Sequence, residues 1–168
     1  KKVLRREGKK YLLNLYAIYW SDNNYYLIGA HDNHDNLVNY RLDRIVNLTM
    51  SDEKMIDAKE KVGVNPEMII QDYIEKSVKH FQGELIRVEV EYEPGQAANA
   101  ILYDFAGGNI RVRKLENGQC VASFQKMDSV TLVGWFMQYA NIYKVLAPRE
   151  LTDSIKKRIN EVADKYII

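Results

Sequence analysis

The sequence predicts an α+β protein made of two modules that differ in patterning. Residues 1–50 hold short runs of strand-forming residues separated by polar turns, which is typical of a small antiparallel meander or barrel. Residues 84–168 alternate between period-two and helical patterning in the order β-α-β-β-α-β, with one more helix at the end. This order predicts a ferredoxin-like domain. Residues 51–83 carry helix start signals and are expected to form a helical connector.

Three strands are predicted in the first module. The runs Tyr16–Trp20 and Tyr25–Ala30 are rich in aromatic and aliphatic residues, and the polar run Ser21–Asn24 between them is a turn signal. A second polar loop, His31–Asn36, leads into a third strand that we expect to run from Leu37 to Leu48.

The connector contains two helix start signals. Ser51–Glu53 places acids where the positive end of a helix dipole favours them, so a short helix should begin there. Asn65 and Pro66 read as a cap and a first helical residue, and they predict a second helix that ends at Gly83. Apolar residues recur along that helix at helical spacing: Ile70, Tyr73, Ile74, Val78 and Phe81.

The second module opens with a strand, a helix and a hairpin. Ile86–Tyr92 alternates with period two, and the apolar face of Ala98–Phe105 is helical and is ended by Gly107–Gly108. Asn109–Arg113 alternates again. Asn117–Gly118 then predicts a hairpin turn, because both residues tolerate positive φ.

The remaining elements complete the ferredoxin-like order. Gln119–Lys126 is the return strand, and a helix capped by Asp128 or Ser129 should run to about Ala140. Tyr143–Ala147 is the final strand.

Pro148 opens the last helix, which carries an apolar stripe: Leu151, Ile155, Ile159, Val162 and Tyr166. Two roles are open for this stripe, and we expect it to pack on the core of its own module rather than on a second copy of the chain.

Composition bounds the class of protein. The chain has 168 residues, of which 46% are hydrophobic and 28% charged, as in ordinary globular domains. It has no apolar run of the roughly 18 residues that span a bilayer and no signal-peptide pattern. One cysteine, Cys120, excludes an internal disulfide. We therefore expect a cytoplasmic protein with no membrane segment, and, because the chain starts at Lys1, a fragment of a longer one.

Positive charge and tyrosines are concentrated in the first module. Residues 1–50 hold 8 Lys/Arg against 5 Asp/Glu, and six of the 12 tyrosines, whereas the whole chain carries a net charge of +1. Cationic side chains grip phosphate and aromatic rings stack on bases, so this pattern is compatible with an anionic polymer as ligand. The alternative is a tyrosine-rich sheet with solvated lysines at its edge.

Nothing in the sequence predicts catalysis. His31 and His34 lie in one loop, but a His-x-x-His pair without a further ligand nearby is a weak zinc signal. Cys120 lies in a strand pattern and is expected to be packed. The sequence has no nucleophile elbow, HExxH, kinase or phosphate-loop signature, and no clustered carboxylates for a two-metal nuclease. We therefore predict no enzyme activity, no metal and no cofactor.

The first module resembles the WYL-domain family. The resemblance rests on Tyr16–Trp20, Tyr25–Gly29 and Tyr40–Ile45, in which Tyr25-Tyr26-Leu27 stands at the position of the eponymous Trp-Tyr-Leu. The rest of the chain is similar to the WCX extension that accompanies this domain. The matching marks are Phe81–Glu84, Val88–Val90, Asp104–Gly107, Ser129, Gly134–Trp135 and Val145–Pro148.

The resemblance implies a sensing and dimerisation fragment of a bacterial transcription regulator. In such proteins an N-terminal winged helix-turn-helix, absent from this chain, binds DNA. The WYL module is an SH3/Sm-like barrel that senses a nucleic-acid or nucleotide ligand, and the extension helps to form a homodimer. The resemblance places the ligand at Ser21, His31, Tyr40, Arg41 and Arg44, with Tyr26 as a neighbour.

The chemistry of the two arginines agrees with that role. Arg41 and Arg44, flanked by Tyr40, offer fork-shaped donors for phosphate beside a stacking surface. In a flat strand they would point to opposite faces, so a bend or bulge is required to bring them together. The alternative is that an arginine pairs with Asp43 or another acid as an internal staple.

The sequence also departs from the family pattern. Leu15 stands where the family has proline, and Val38 stands where many members have a further arginine. The strand that normally opens the barrel is missing, so we expect its edge to be covered by a partner copy, by residues 1–10 or by the connector. A second hypothesis for function is a small-molecule sensor with its pocket in the ferredoxin-like half, between its sheet and the connector.

Overall fold

Two antiparallel sheets organise the chain, one in each of two units that divide between Asp72 and Tyr73. The computed structural model describes residues 8–21, 23–78, 81 and 83–166. Among these, no helix has the length and apolar character needed to cross a bilayer.

The first sheet is a three-stranded meander of β1 (Leu13–Ser21), β2 (Asn24–His31) and β3 (Leu37–Arg41), in that order. Its first hairpin is tight, because Ser21 pairs directly with Asn24. The predicted strands are therefore present, and the polar turn lies where the sequence indicates it.

A bulge bends β1 opposite a glycine. The register between β1 and β2 shifts between Leu15 and Ala17, so Tyr16 is the extra residue. At Gly29, which pairs with Leu15, a Cβ atom would lie 2.3 Å from the backbone oxygen of Asn14. Only glycine lets the two backbones approach this closely.

The third strand is shorter than predicted. It ends at Arg41 rather than Leu48, and Leu42–Arg44 forms a single 3₁₀ turn. The Asp43 carboxylate accepts two hydrogen bonds from Arg41, so the chain turns at the point where the sequence pattern alone would continue the strand. The stretch from 45 to 57 contains no helix or strand.

The connector helices also begin later and end earlier than predicted. No helix begins at Ser51–Glu53; helix α1 (Ala58–Val62) follows Asp57, whose carboxylate accepts a hydrogen bond from the Lys59 amide. A 3₁₀ turn at Pro66–Met68 precedes α2 (Ile69–Lys76).

Helix α2 stops at Lys76 instead of Gly83, and side chains of the second sheet region donate to one carbonyl in its last turn and to one just beyond it. The Lys126 ammonium donates to the Glu75 carbonyl, and the Thr131 hydroxyl donates to the Val78 carbonyl at 2.8 Å. Val78 and Phe81 then form an isolated bridge, and residues 79, 80 and 82 of the predicted helix lie outside the described residues.

The second unit follows the predicted element order. Its elements are β4 (Leu85–Tyr92), α3 (Gln96–Ala106), β5 (Arg111–Lys114), β6 (Cys120–Met127), α4 (Val130–Gln138), β7 (Tyr143–Ala147) and α5 (Arg149–Tyr166). The strands form an antiparallel sheet in the order β5-β6-β4-β7. The hydroxyl of Ser129 accepts a hydrogen bond from the Leu132 amide, so Ser129 rather than Asp128 caps α4.

The hairpin between β5 and β6 differs in detail from the prediction. Gly118 has a φ of 87°, but Asn117 does not adopt positive φ. The loop is three residues long, because the Gly118 amide donates to the Leu115 carbonyl and the Leu115 amide donates to the Gln119 carbonyl. Glycine takes the left-handed position that ends such a loop.

One hydrophobic core fills the second unit. Alternate residues of β4, namely Val88, Val90 and Tyr92, are buried, as the period-two pattern predicts. Phe105 of α3 stacks on Trp135 of α4, with ring centroids 3.6 Å apart. The helices are therefore held on the sheet by apolar and aromatic packing.

Only the first part of the α5 stripe reaches this core. Leu151 is buried and Ile155 is partly buried, whereas Ile159 and Val162 are 44% and 40% exposed and Tyr166 is 81% exposed. The helix is about 27 Å long, which carries its C-terminal half beyond the strand and helix it packs on, β7 and α4. The expectation that the whole stripe faces the core of its own module is wrong.

Candidate functional site

The strand register divides the predicted ligand-binding residues between two faces of the first sheet. Tyr26 pairs with Arg41, and Leu27 pairs with Tyr40. Because neighbouring residues of a strand point to opposite faces, Tyr40 and Arg41 cannot share one. His31 lies on the side of Leu27 and Tyr40, which we call the histidine face. Ser21 and Tyr26 lie on the side of Arg41, the arginine face.

A closed hydrogen-bond network organises the histidine face. Nδ1 of His31 lies 3.0 Å from the Leu12 carbonyl oxygen, and Nε2 lies 2.7 Å from the Tyr40 hydroxyl. A carbonyl can only accept, so Nδ1 carries a proton and donates it to the Leu12 carbonyl, while the Tyr40 hydroxyl is the hydrogen-bond partner of Nε2. The Tyr11 ring covers the pair, with its centroid 5.3 Å from that of His31.

The polar groups of the loop after His31 are also engaged. The Lys61 ammonium donates to the Asp32 carbonyl at 2.7 Å and to the Asp35 carboxylate at 3.1 Å. The Asn14 amide donates to the Asp32 carboxylate at 2.7 Å, and its oxygen accepts from the Ile56 amide at 2.8 Å. In the part of the chain that the structure describes, no group of three His, Cys, Asp or Glu side chains is arranged to hold a metal ion.

On the arginine face the Arg41 guanidinium is held by Asp43. Its Nε and Nη2 donate to the two carboxylate oxygens at 3.0 and 2.9 Å. This hydrogen bonding raises the pKa of Arg41 and lowers that of Asp43. Both side chains remain in contact with solvent, with exposed fractions of 28% and 57%. The internal staple that the sequence left open as an alternative is therefore present at Arg41.

Arg44 interacts electrostatically with the same carboxylate, that of Asp43. It is exposed on the 3₁₀ turn, and its charge also lowers the pKa of Asp43. Within the described residues its guanidinium makes no hydrogen bond or ion pair. A 3₁₀ turn separates the two arginines, and both act on the Asp43 carboxylate, so we call Arg41, Asp43 and Arg44 the arginine cluster.

Tyr26 and Ser21 have supporting positions. Tyr26 is buried, and its ring stacks on Tyr19 with centroids 5.3 Å apart. Ser21 is half-buried at the end of β1. The structure therefore groups Arg41 and Arg44 around one acid and groups His31 with Tyr40, but it does not bring the two groups together. The assignment of all six residues to a ligand stays a prediction.

Sequence reasoning missed an exposed aromatic pair at the end of the first hairpin. Trp20 and Tyr25 pair across β1 and β2 and are 57% and 52% exposed, with ring centroids 4.7 Å apart and planes inclined at 68°. They border a cavity of about 260 Å³, whose lining comprises Trp20, Asn23, Asn24, Tyr25, Leu42 and Asp43. The sequence contains a signal for this pair, because Trp20 directly precedes the predicted turn and Tyr25 directly follows it.

A second cavity of about 330 Å³ lies in the second unit, between the start of α4 and the middle of α5. Its lining mixes charges of both signs with apolar groups: Asp128, Ser129, Val130, Val133, Ser154, Lys157, Arg158 and Glu161. Arg158 pairs with Glu161 at 3.5 Å. This cavity is not between the sheet and the connector, where the small-molecule hypothesis expected it.

Comparison with known proteins supports the resemblance noted in the sequence. Residues 4–50 match the family model of the WYL domain, and residues 84–163 match that of the WCX domain. No curated protein matches the sequence. Among solved structures, proteasome accessory factor B/C (PafBC) of Arthrobacter aurescens is similar over 93% of this chain, with 18% identity and a TM-score of 0.42. The chain spans 22% of the length of that protein.

Proposed function

Because the chain belongs to the WYL-domain family of transcriptional regulators and carries a WCX domain after its WYL domain, we propose that it is the effector-sensing part of a bacterial regulator. Its effector is a single-stranded nucleic acid or a nucleotide-like anion, bound by the WYL domain. The WCX domain contributes to a homodimer, and promoter DNA is bound by a helix-turn-helix module rather than by these two domains. No catalytic step is assigned to any residue.

We assign the WYL domain to the SH3/Sm-like barrels and the WCX domain to the ferredoxin-like folds. The antiparallel meander of β1 to β3 supports the first assignment. The β-α-β-β-α-β order with strand order β5-β6-β4-β7 supports the second.

The observation that carries the proposed ligand class is the arginine cluster. Arg41 donates two parallel hydrogen bonds to the Asp43 carboxylate, and the same two N–H groups can bind a phosphate in the same geometry. The ion pair is exposed, so solvent and salt weaken it, and a phosphate that also meets Arg44 can replace the Asp43 carboxylate. The arginine cluster is therefore an anion site that the Asp43 carboxylate occupies in the absence of ligand and from which a phosphate displaces it.

A second candidate function is supported by the 330 Å³ cavity of the WCX domain. Its mixed charges and apolar residues suit a small amphipathic molecule rather than a polyanion. The two candidates differ in where an anion binds, since one requires the arginine cluster and the other does not.

The test is fluorescence anisotropy of short single-stranded oligonucleotides, titrated at two salt concentrations. Arg41→Ala and Arg44→Ala should each weaken binding by about tenfold and reduce the dependence on salt by about one phosphate contact. Arg111→Ala removes an equal charge from an exposed strand of the WCX domain and serves as the control. The proposal fails if both cluster variants bind like the parent, or if Arg111→Ala weakens binding as much as they do.

A further inference from the structure

The aromatic pair of Trp20 and Tyr25, which we call the aromatic tip, is part of a larger exposed apolar surface. Ile18 is 54% exposed and Leu42 is 41% exposed. Ile18, Trp20 and Tyr25 share one face of the first hairpin according to its register. Exposing several large apolar residues at one end of a sheet is unfavourable in water and marks a surface that meets a ligand or partner. The aromatic tip therefore needs an occupant.

The cavity beside the aromatic tip identifies the chemistry of that occupant. Its lining combines the aromatic residues Trp20 and Tyr25 with the polar or charged residues Asn23, Asn24 and Asp43. A flat ligand with apolar faces and with hydrogen-bond donors and acceptors along its edge matches such a lining. Nucleobases have this character, and they stack on exposed aromatic side chains in proteins that bind single strands.

Asp43 connects this cavity to positive charge. The same carboxylate lines the cavity and holds Arg41, and it lies near Arg44. The register places Trp20 and Tyr25 on the histidine face and Arg41 on the arginine face, so the aromatic tip and the anion site are linked through Asp43 at the end of the sheet. Arg41 and Arg44 together carry one positive charge more than Asp43 balances. An uncharged peptide segment would satisfy the apolar surface but would not neutralise this charge, so charge complementarity favours a nucleotide.

We propose that the aromatic tip is a nucleobase-stacking subsite, in which Trp20 and Tyr25 hold one base of a single strand while the arginine cluster holds its phosphate. The proposal rests on the proposed function for the phosphate but adds two binding residues and a role for the cavity.

The test compares a short oligodeoxynucleotide with an abasic strand of the same length and the same number of phosphates. The parent should bind the base-bearing strand about tenfold more tightly. Trp20→Ala should abolish this advantage while leaving the affinity for the abasic strand and the salt dependence unchanged. Tyr166→Ala, which removes an exposed aromatic ring from α5, should bind both strands like the parent.

Tryptophan fluorescence gives an independent readout. The chain has two tryptophans, and the difference between the emission of the parent and that of Trp20→Phe reports Trp20. Millimolar guanosine or adenosine, which carry no phosphate, should quench this emission, and they should do so in Arg41→Ala as well. Near-ultraviolet circular dichroism of each variant verifies that it is folded.

The outcomes separate the two proposals. Equal binding of both strands by the parent, without quenching by nucleosides, overturns the stacking subsite and leaves the anion site standing. Quenching by nucleosides without binding of either strand supports the subsite and overturns the proposed function. Concentration-dependent dimerisation that Trp20→Ala abolishes, without nucleoside quenching, would assign the aromatic tip to a second copy of the chain and overturn the subsite.

Discussion

The carboxylate of Asp43 is held by the Arg41 guanidinium and feels the charge of Arg44, so its own charge reduces the net positive charge of the arginine cluster. The fork from Arg41 and the field of Arg44 both keep this acid ionised, since each lowers its pKa. Under the proposed function, Asp43 competes with the ligand for Arg41, to which it is hydrogen-bonded in the structure.

Removing that competitor should strengthen binding. Asp43→Asn makes the cluster more positive by one charge, so we expect a severalfold higher affinity for oligonucleotides and a steeper salt dependence in anisotropy titrations. Asp35→Asn changes the charge equally at the ion pair with Lys61 and is the matched control. Weaker binding by Asp43→Asn would mean that Asp43 contacts the ligand favourably in the parent or that Arg41 needs it for orientation.

Lys126 is a charged residue in an apolar setting. It is 3% exposed, its ammonium lies 4.8 Å from the centre of the Phe105 ring, and it donates to the Glu75 carbonyl. Burial lowers the pKa of Lys126 to about 8, while the nearby Glu75 acts in the opposite direction. The folded chain therefore releases a proton at a pH where the unfolded chain still holds it.

This difference predicts that stability rises with pH. Between about pH 8 and 10 the unfolded state binds the extra proton, so the free energy of unfolding should increase by about 1 kcal/mol per pH unit near pH 9. Lys126→Met removes the titrating group, and the rise should disappear from urea unfolding curves. A rise of the same size in Lys126→Met would assign it to another group.

Tyrosines should reverse the trend at higher pH. Burial raises the pKa of Tyr143 to about 12, and burial also raises that of Tyr92. Above pH 10 the unfolded chain loses these protons first, so stability should fall there.

At the scale of elements, the bulge in β1 and the glycine facing it belong together. Gly29→Ala would press a methyl group against the Asn14 carbonyl, so we expect a loss of about 1–3 kcal/mol in the stability of the first unit. Gly134→Ala is the control, because that position is helical and its Cβ would meet nothing within 4 Å. It should be neutral or stabilise by about 0.5–1 kcal/mol. Thermal unfolding followed by circular dichroism measures both, and an unchanged Gly29→Ala would show that the strands can separate at low cost.

The sequence predicts well those elements whose position follows from the residue pattern within the element itself. Alternation located β4, and the predicted turn that joins β1 to β2 is present. The ends of β3 and α2 were predicted too late, because side-chain contacts set them. Asp43 turns the chain after Arg41, and Lys126, some fifty residues further along, satisfies the end of α2.

The candidate site was predictable in part for a similar reason. The residue types and the need for a bend at Arg41 and Arg44 follow from the sequence, and the chain does leave the strand in a 3₁₀ turn at Leu42–Arg44. The separation of Tyr40 from Arg41 follows from strand alternation. The pairing with Asp43 was one of two open alternatives, since sequence alone does not give the distance between side chains.

At the scale of the whole molecule, the core of the second unit is self-contained. Its buried members run from Val78 to Leu151, all on the C-terminal side of the division between the units. A fragment that begins at Pro66, which keeps α2 whole, should therefore fold cooperatively and retain the near-ultraviolet dichroism of the Phe105–Trp135 stack.

The full chain should then unfold in two calorimetric transitions, with the one that the fragment lacks belonging to the first unit. A fragment that remains unfolded, or a single transition for the full chain, would show that the two units depend on each other for stability.

The buried amide of Asn14 favours one alignment of β1 against β2. It is satisfied at both ends, by Asp32 and by the amide of Ile56. Sliding β1 by one residue against β2 would turn this side chain to the opposite surface, separate it from both partners, and bring a neighbouring leucine into its place. The hydrogen bonds of one polar side chain thus add to the apolar packing that favours this alignment of the two strands.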